Sequence, residues 1–191
     1  MKLSNLLYEK RSAILKRWFD FILESYPAGT AQFFKNKKNR FSNPVGYTIS
    51  QGVESLFDEI LQGIDQGIDT EKVSLFLDNI IRVRAIQDFT PSKAVSFIFL
   101  LKKVLREELD REIQENSNAE ELRTIESRID DLALLAFDIF MTCREKIYEL
   151  KAMQLNNQTY TLLKKAKLIV DLEEQEMDPA KGSVDNLKEM R

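Results

Sequence analysis

The chain has 191 residues, 43% hydrophobic and 31% charged, with only 6 Gly and 4 Pro, a helix-rich globular balance of a size for one domain and an extension. Its 28 basic and 31 acidic residues leave a net charge of −3, so nothing in the overall charge favours nucleic acid or an anionic membrane. One Cys excludes an internal disulfide, and the absence of His removes the commonest general base, the commonest transition-metal ligand and the proximal ligand of ordinary haem globins, so Ser-His-Asp and Cys-His catalysis are impossible within the chain.

Helical spacing dominates from the start. A first helix is predicted over residues 4–25, with Leu7, Ile14, Trp18, Phe21 and Ile22 on one face. Pro27 stops it, because the residue before a proline is pushed out of helical geometry. A short second helix, 28–36, carries Phe33 and Phe34 and runs into a basic loop with Lys35, Lys37, Lys38 and Arg40. Asn43-Pro44 opens a third helix, since Asn caps orphan N–H groups and Pro at the first helical position loses nothing; Gly67 is its expected end. A fourth helix starts near Asp69-Thr70 with the stripe Val73, Phe76, Leu77, Ile80, Val83 and Gln87. Thr90-Pro91 opens a fifth, whose inner face reads Val95, Ile98, Phe99, Leu101, Val104, Leu105 and Leu109.

The sixth helix is expected to open at Asn118, with Glu121 completing a capping box. Between residues 132 and 141 it is apolar nearly all round, the pattern of a central, fully wrapped rod. Nothing breaks the pattern until Asn156-Asn157, and helix-like spacing resumes at Leu162, Leu163, Ala166, Ile169 and Val170. About 50 continuous residues would span roughly 75 Å, so the last part must bend back or protrude. Residues 122–153 also follow a heptad spacing, Leu122, Ile125, Ile129, Leu132, Ala136, Ile139, Cys143, Lys146, Leu150 and Met153, which fits either a dimer seam or the inner stripe of the central helix. The expected architecture is all-α: a six-helix globular bundle with an extended C-terminal helix, divided as a domain over 1–155, a helical extension over 156–175 and a tail over 176–191. No apolar stretch approaches the roughly 20 residues that span a bilayer, and the first residues lack the apolar region of a signal peptide; a cytoplasmic protein is expected.

Few residues invite chemistry. The adjacent carboxylates Glu107/Glu108 and Asp130/Asp131 point in different directions on a helix and do not converge on a metal. No cofactor and no metal are expected. Cys143 reads as a small buried hydrophobe, and the aromatic residues Trp18, Phe19, Phe21, Phe33, Phe34, Phe57, Phe76 and Phe97 as core. Lys37, Lys38 and Arg40 are a candidate anion contact, weighed against simple solvation of a loop. Arg84 abuts the buried stripe of its helix, where an arginine needs a carboxylate or an anionic ligand; Asp88, four residues on, is the local candidate for a structural ion pair. Leu150, Met153, Leu162, Leu163, Ala166 and Ile169 form a candidate partner helix, for a second copy or another protein.

Three stretches carry a resemblance. They are Lys16-Arg17-Trp18-Phe19-Asp20 with Tyr26-Pro27; Phe41-Ser42-Asn43-Pro44-Val45-Gly46-Tyr47; and Ile81-Arg82-Val83-Arg84-Ala85-Ile86-Gln87-Asp88-Phe89-Thr90-Pro91-Ser92-Lys93-Ala94. Together they resemble the RsbRD N-terminal domain family, named after the RsbT co-antagonist proteins of the bacterial stressosome. The resemblance covers roughly residues 6–150 and brings no catalytic motif. It implies a helical input module, which in stressosome proteins precedes a STAS domain, and a haem-free, globin-like fold by analogy with the dimeric RsbR relatives. These 191 residues contain no STAS region, so kinase antagonism is not implied. The expectation is a stand-alone, non-enzymatic sensor or adaptor of stress or redox signalling, working as a homodimer through protein contacts. The other expectation is a structural accessory subunit of a redox complex.

Overall fold

The structure, a computed structural model, describes residues 2–36, 41–87, 89–116 and 119–169. They form seven helices: α1 (Leu3–Glu9), α2 (Arg11–Leu23), α3 (Ala28–Asn36), α4 (Pro44–Gln66), α5 (Thr70–Ile86), α6 (Pro91–Asn116) and α7 (Ala119–Lys165). No strand occurs among the described residues, so the all-α expectation holds. Two compact units are present, residues 1–146 and 147–191.

The starts of α4 and α5 are written in the sequence. Asn43 Oδ1 accepts the Gly46 N–H at 2.9 Å, while Asn43 Nδ2 donates to the Phe34 carbonyl at 3.0 Å. One side chain thus caps α4 and ties it to α3. Position 46 must be bare for this, since a Cβ there would lie 2.3 Å from Asn43 Nδ2. Asp69 Oδ1 accepts from the N–H groups of Glu71 and Lys72 and starts α5, and Gly67, at φ 87°, makes the left-handed turn that ends α4. We expect Asn43→Ala to destabilise the protein by about 2–3 kcal/mol, a lost cap plus an orphaned buried carbonyl. Chemical denaturation checks this, and Asn43→Asp should recover the cap but not the bond to Phe34.

In the unit of residues 1–146, α4 packs on α5 and α2 packs on α6. The core is built from Ile14, Trp18 and Ile22 of α2, Ile49, Val53, Leu56, Phe57 and Ile60 of α4, and Leu77, Ile80 and Ile81 of α5, all at most 2% exposed. Trp18 Nε1 donates to the Phe97 carbonyl at 2.6 Å and its ring stacks on Phe97, which fixes α2 against α6. Two ion pairs, Arg106–Glu126 and Lys102–Asp130, both 2.5 Å, run α6 antiparallel to α7. The α7 helix is further held by Arg128 on the Gly63 and Ile64 carbonyls of α4 and by Glu121 on the Leu3 N–H of α1.

Three expectations need correction. The predicted first helix is two, broken at Lys10 without Pro or Gly. The cause is tertiary: Lys10 reaches α6, bonding the Glu108 carbonyl and pairing with Glu112 at 2.5 Å. The rod over residues 132–141 is not wrapped. Leu132, Ala133, Ala136 and Phe140 are buried, yet Leu134 is 67% and Phe137 42% exposed, and Met141 is also open. The elements of its unit cover one side of this helix only, and apolar composition cannot distinguish a covered side from an uncovered one. Phe99, placed inside α6, and Phe33 are exposed as well, at 46% and 42%.

Candidate functional site

The residue the sequence singled out, Arg84, is sealed inside the unit of residues 1–146. It is 0% exposed, in the last turn of α5. Its Nη1 donates to the Lys93 carbonyl at 2.9 Å and lies 3.4 Å from the Ala94 carbonyl, both in the first turns of α6. Its Nη2 donates to Ser25 Oγ at 3.2 Å, at the end of α2. The guanidinium carbon stands 5.0 Å from the Phe89 ring centre, 5.1 Å from Phe97 and 5.5 Å from Tyr26. The cation is therefore caged by three π faces and neutral oxygens, and no carboxylate pairs with it among the described residues. Its Nε is buried with no hydrogen-bond partner.

The electrostatics follow from this geometry. Burial pushes the Arg84 pKa down, opposed by the Tyr26 phenol. Burial pushes the Tyr26 phenol up, opposed by the Arg84 charge. An unpaired buried charge is costly, and cation–π contacts on desolvated rings, about 2 kcal/mol each, offset part of that cost. Tyr26 also donates to Gln87 Oε1 at 3.2 Å and meets Phe34 and Phe89 edge-on. One polar group thus pins the end of α2, the end of α5 and the start of α6 together.

The pinned corner has a direct link to α7. The carbonyl of Ala85, next to Arg84, accepts a bond from Arg144 Nη1 at 3.1 Å. Sequence reasoning found Arg84 but missed this cage, because Ser25, Tyr26, Phe89 and Phe97 come from distant stretches. A signal did exist: Tyr26-Pro27, the run from Ile81 to Ala94 and the Asn43/Gly46 cap are the stretches that carry the family resemblance. Asp88, Lys37, Lys38 and Arg40 lie outside the described residues, as does the expected cap Asn118.

The expected partner helix lies in the second unit, whose described part is residues 147–169. Leu150, Met153 and Leu162 are 58–67% exposed; Ala166 is exposed, and Leu163 and Ile169 are half-buried. The α7 helix runs straight through Asn156-Asn157 and stops after Lys165. Its end is a local device. Lys167 adopts φ 57°, its N–H bonds the Lys164 carbonyl at 3.0 Å, and the Leu168 N–H bonds the Leu163 carbonyl at 2.9 Å. This is a Schellman closure, with Lys167 where Gly is usual.

No group of three or more Cys, Asp or Glu side chains is placed to hold a metal among the described residues. Cys143 is half-buried, and burial together with the Asp78 charge pushes its thiol up, against Arg82, which disfavours the reactive thiolate. No described helix is long and apolar enough to cross a membrane.

The family model for the RsbT co-antagonist protein rsbRD N-terminal domain matches residues 12–155. The chain belongs to this family. No curated protein and no solved structure matches it. The RsbRD N-terminal match places the chain in a regulatory rather than catalytic group. It takes in the Arg84 corner, the Asn43 cap and α7 as far as Leu155, while α1, the break at Lys10 and the end of α7 lie outside it.

Proposed function

We propose that this RsbRD N-terminal domain is a regulatory module of stress signalling: a homodimer that senses through its helical unit and reports through α7. The observation that carries the reading is the set of uncovered apolar side chains beyond residue 146, with Leu150, Met153, Leu155 and Leu162 all 58–67% exposed. So much apolar surface along one helix marks a contact surface, and burying a Leu or Met side chain is worth about 1.5–3 kcal/mol. The Arg84 corner supplies the sensitive joint. A ligand or partner that favours one packing of α2, α5 and α6 shifts a population, and the Ala85–Arg144 bond passes the shift to α7.

The test is oligomeric state. In native mass spectrometry the full chain should be a dimer. Leu150→Glu combined with Leu162→Glu should make it monomeric, raising the dissociation constant at least 100-fold, with the melting of the residue 1–146 unit unchanged. A monomeric wild type, or a dimer indifferent to both charges, overturns the proposal.

A further inference from the structure

A second feature of the helical unit adjoins the Arg84 corner through Phe34, which meets Tyr26 edge-on. The α2 helix carries two apolar edges. Ile14 and Trp18 face the core, at 0% and 1% exposure. Leu15 and Phe19, one residue further round, are half-buried and line a groove of about 640 Å³ between α2, α3 and α4. Phe34 and Val53 form its buried floor. That size and mixed lining match small-molecule sites, which run to about 300–1,000 Å³.

The charges on the groove are unequal in their commitments. Arg11 is held by Asp58 at 2.7 Å and Glu54 at 3.1 Å, and Lys35 by Asp20 at 2.8 Å. Lys16 lines the same groove with no ion pair among the described residues. Tyr47 and Ser50 line the same groove, and neither hydroxyl has a hydrogen-bond partner among the described residues. Asp58, Glu54 and Asp20 engage Arg11 and Lys35, which leaves Lys16 as the lining cation without a carboxylate partner among the described residues, next to an apolar floor.

We infer that this groove binds a small amphipathic carboxylate, its apolar body on Leu15, Phe19, Phe34 and Val53 and its carboxylate on Lys16 with the two hydroxyls. A carboxylate accepts from an ammonium and two hydroxyls at once, and the half-exposed Leu15 and Phe19 gain from being covered. The inference deepens the sensor reading by giving that module a ligand class, and it rests on that reading for its biological meaning. Binding itself is tested separately.

The experiment is calorimetric titration of the full chain with octanoate, butyrate and octylamine. Octanoate should saturate a single site, with butyrate at least tenfold weaker and octylamine not binding. Lys16→Glu, an exposed position that leaves the core untouched, should weaken octanoate at least tenfold. Amide shifts in NMR should be confined to α2, α3 and α4. Absent saturation, equal binding of octylamine, or indifference to Lys16→Glu overturns the site. Such a failure is distinguishable from failure of the dimer proposal, because native mass spectrometry reads association without any ligand.

Discussion

Replacing Arg84 with Ala should lower the stability of the protein by about 2–4 kcal/mol, roughly 5–15 °C in Tm for a chain of this size. The substitution removes a fully buried side chain, empties the space between three rings, and strips a donor from the Lys93 carbonyl and from Ser25. Two companion variants separate the causes. Arg84→Met keeps most of the volume and removes the charge, so the lost bonds are set against relief of a buried cation, and the change should stay within about 1.5 kcal/mol. Arg84→Lys keeps the charge but loses the planar fork, which alone reaches Ser25 and the α6 carbonyls together while facing rings; it should be worse than Met. If Ala melts like wild type, or Lys is better tolerated than Met, the caged-cation account is wrong.

Trp18→Ala should be the most damaging substitution in the molecule, costing about 3–5 kcal/mol. The indole is 1% exposed, stacks on Phe97 and donates to that residue's carbonyl, so it joins α2 to α6 by area and by direction. Trp18→Phe keeps much of the area and loses the donor, and should cost about 1–2 kcal/mol. Urea unfolding measures both. The slope with denaturant should stay constant, because the surface exposed on unfolding is nearly the same. A Phe variant as damaging as Ala would mean that the hydrogen bond, not the packing, holds the pair.

These two residues show how local and distant information divide. Trp18 was readable as core because Ile14, Trp18 and Ile22 repeat at a spacing of four, and burial of that face needs only a helix and a hydrophobic partner. Arg84 was readable as anomalous for the same reason: it is a charge on an apolar stripe. Its partners were not readable, since the nearest carboxylate in sequence is only one of several ways to satisfy a guanidinium. The answer found among the described residues uses backbone carbonyls and ring faces, groups that every sequence has in abundance and no pattern marks.

By itself the sequence determined the helical class, the starts at Asn43, Asp69 and Thr90, the turn at Gly67 and the absence of histidine chemistry. All of these depend on contacts within a few residues, where capping, φ preference and periodicity act directly. The tertiary structure decided the break at Lys10, the uncovered side of the apolar segment from Leu132 to Met141, the cage around Arg84 and the groove beside Phe19. Each of these is set by which helix stands next to which. Hydrophobicity fixes how much surface seeks cover, but only the packed chain fixes which part of it is left for a ligand or a partner.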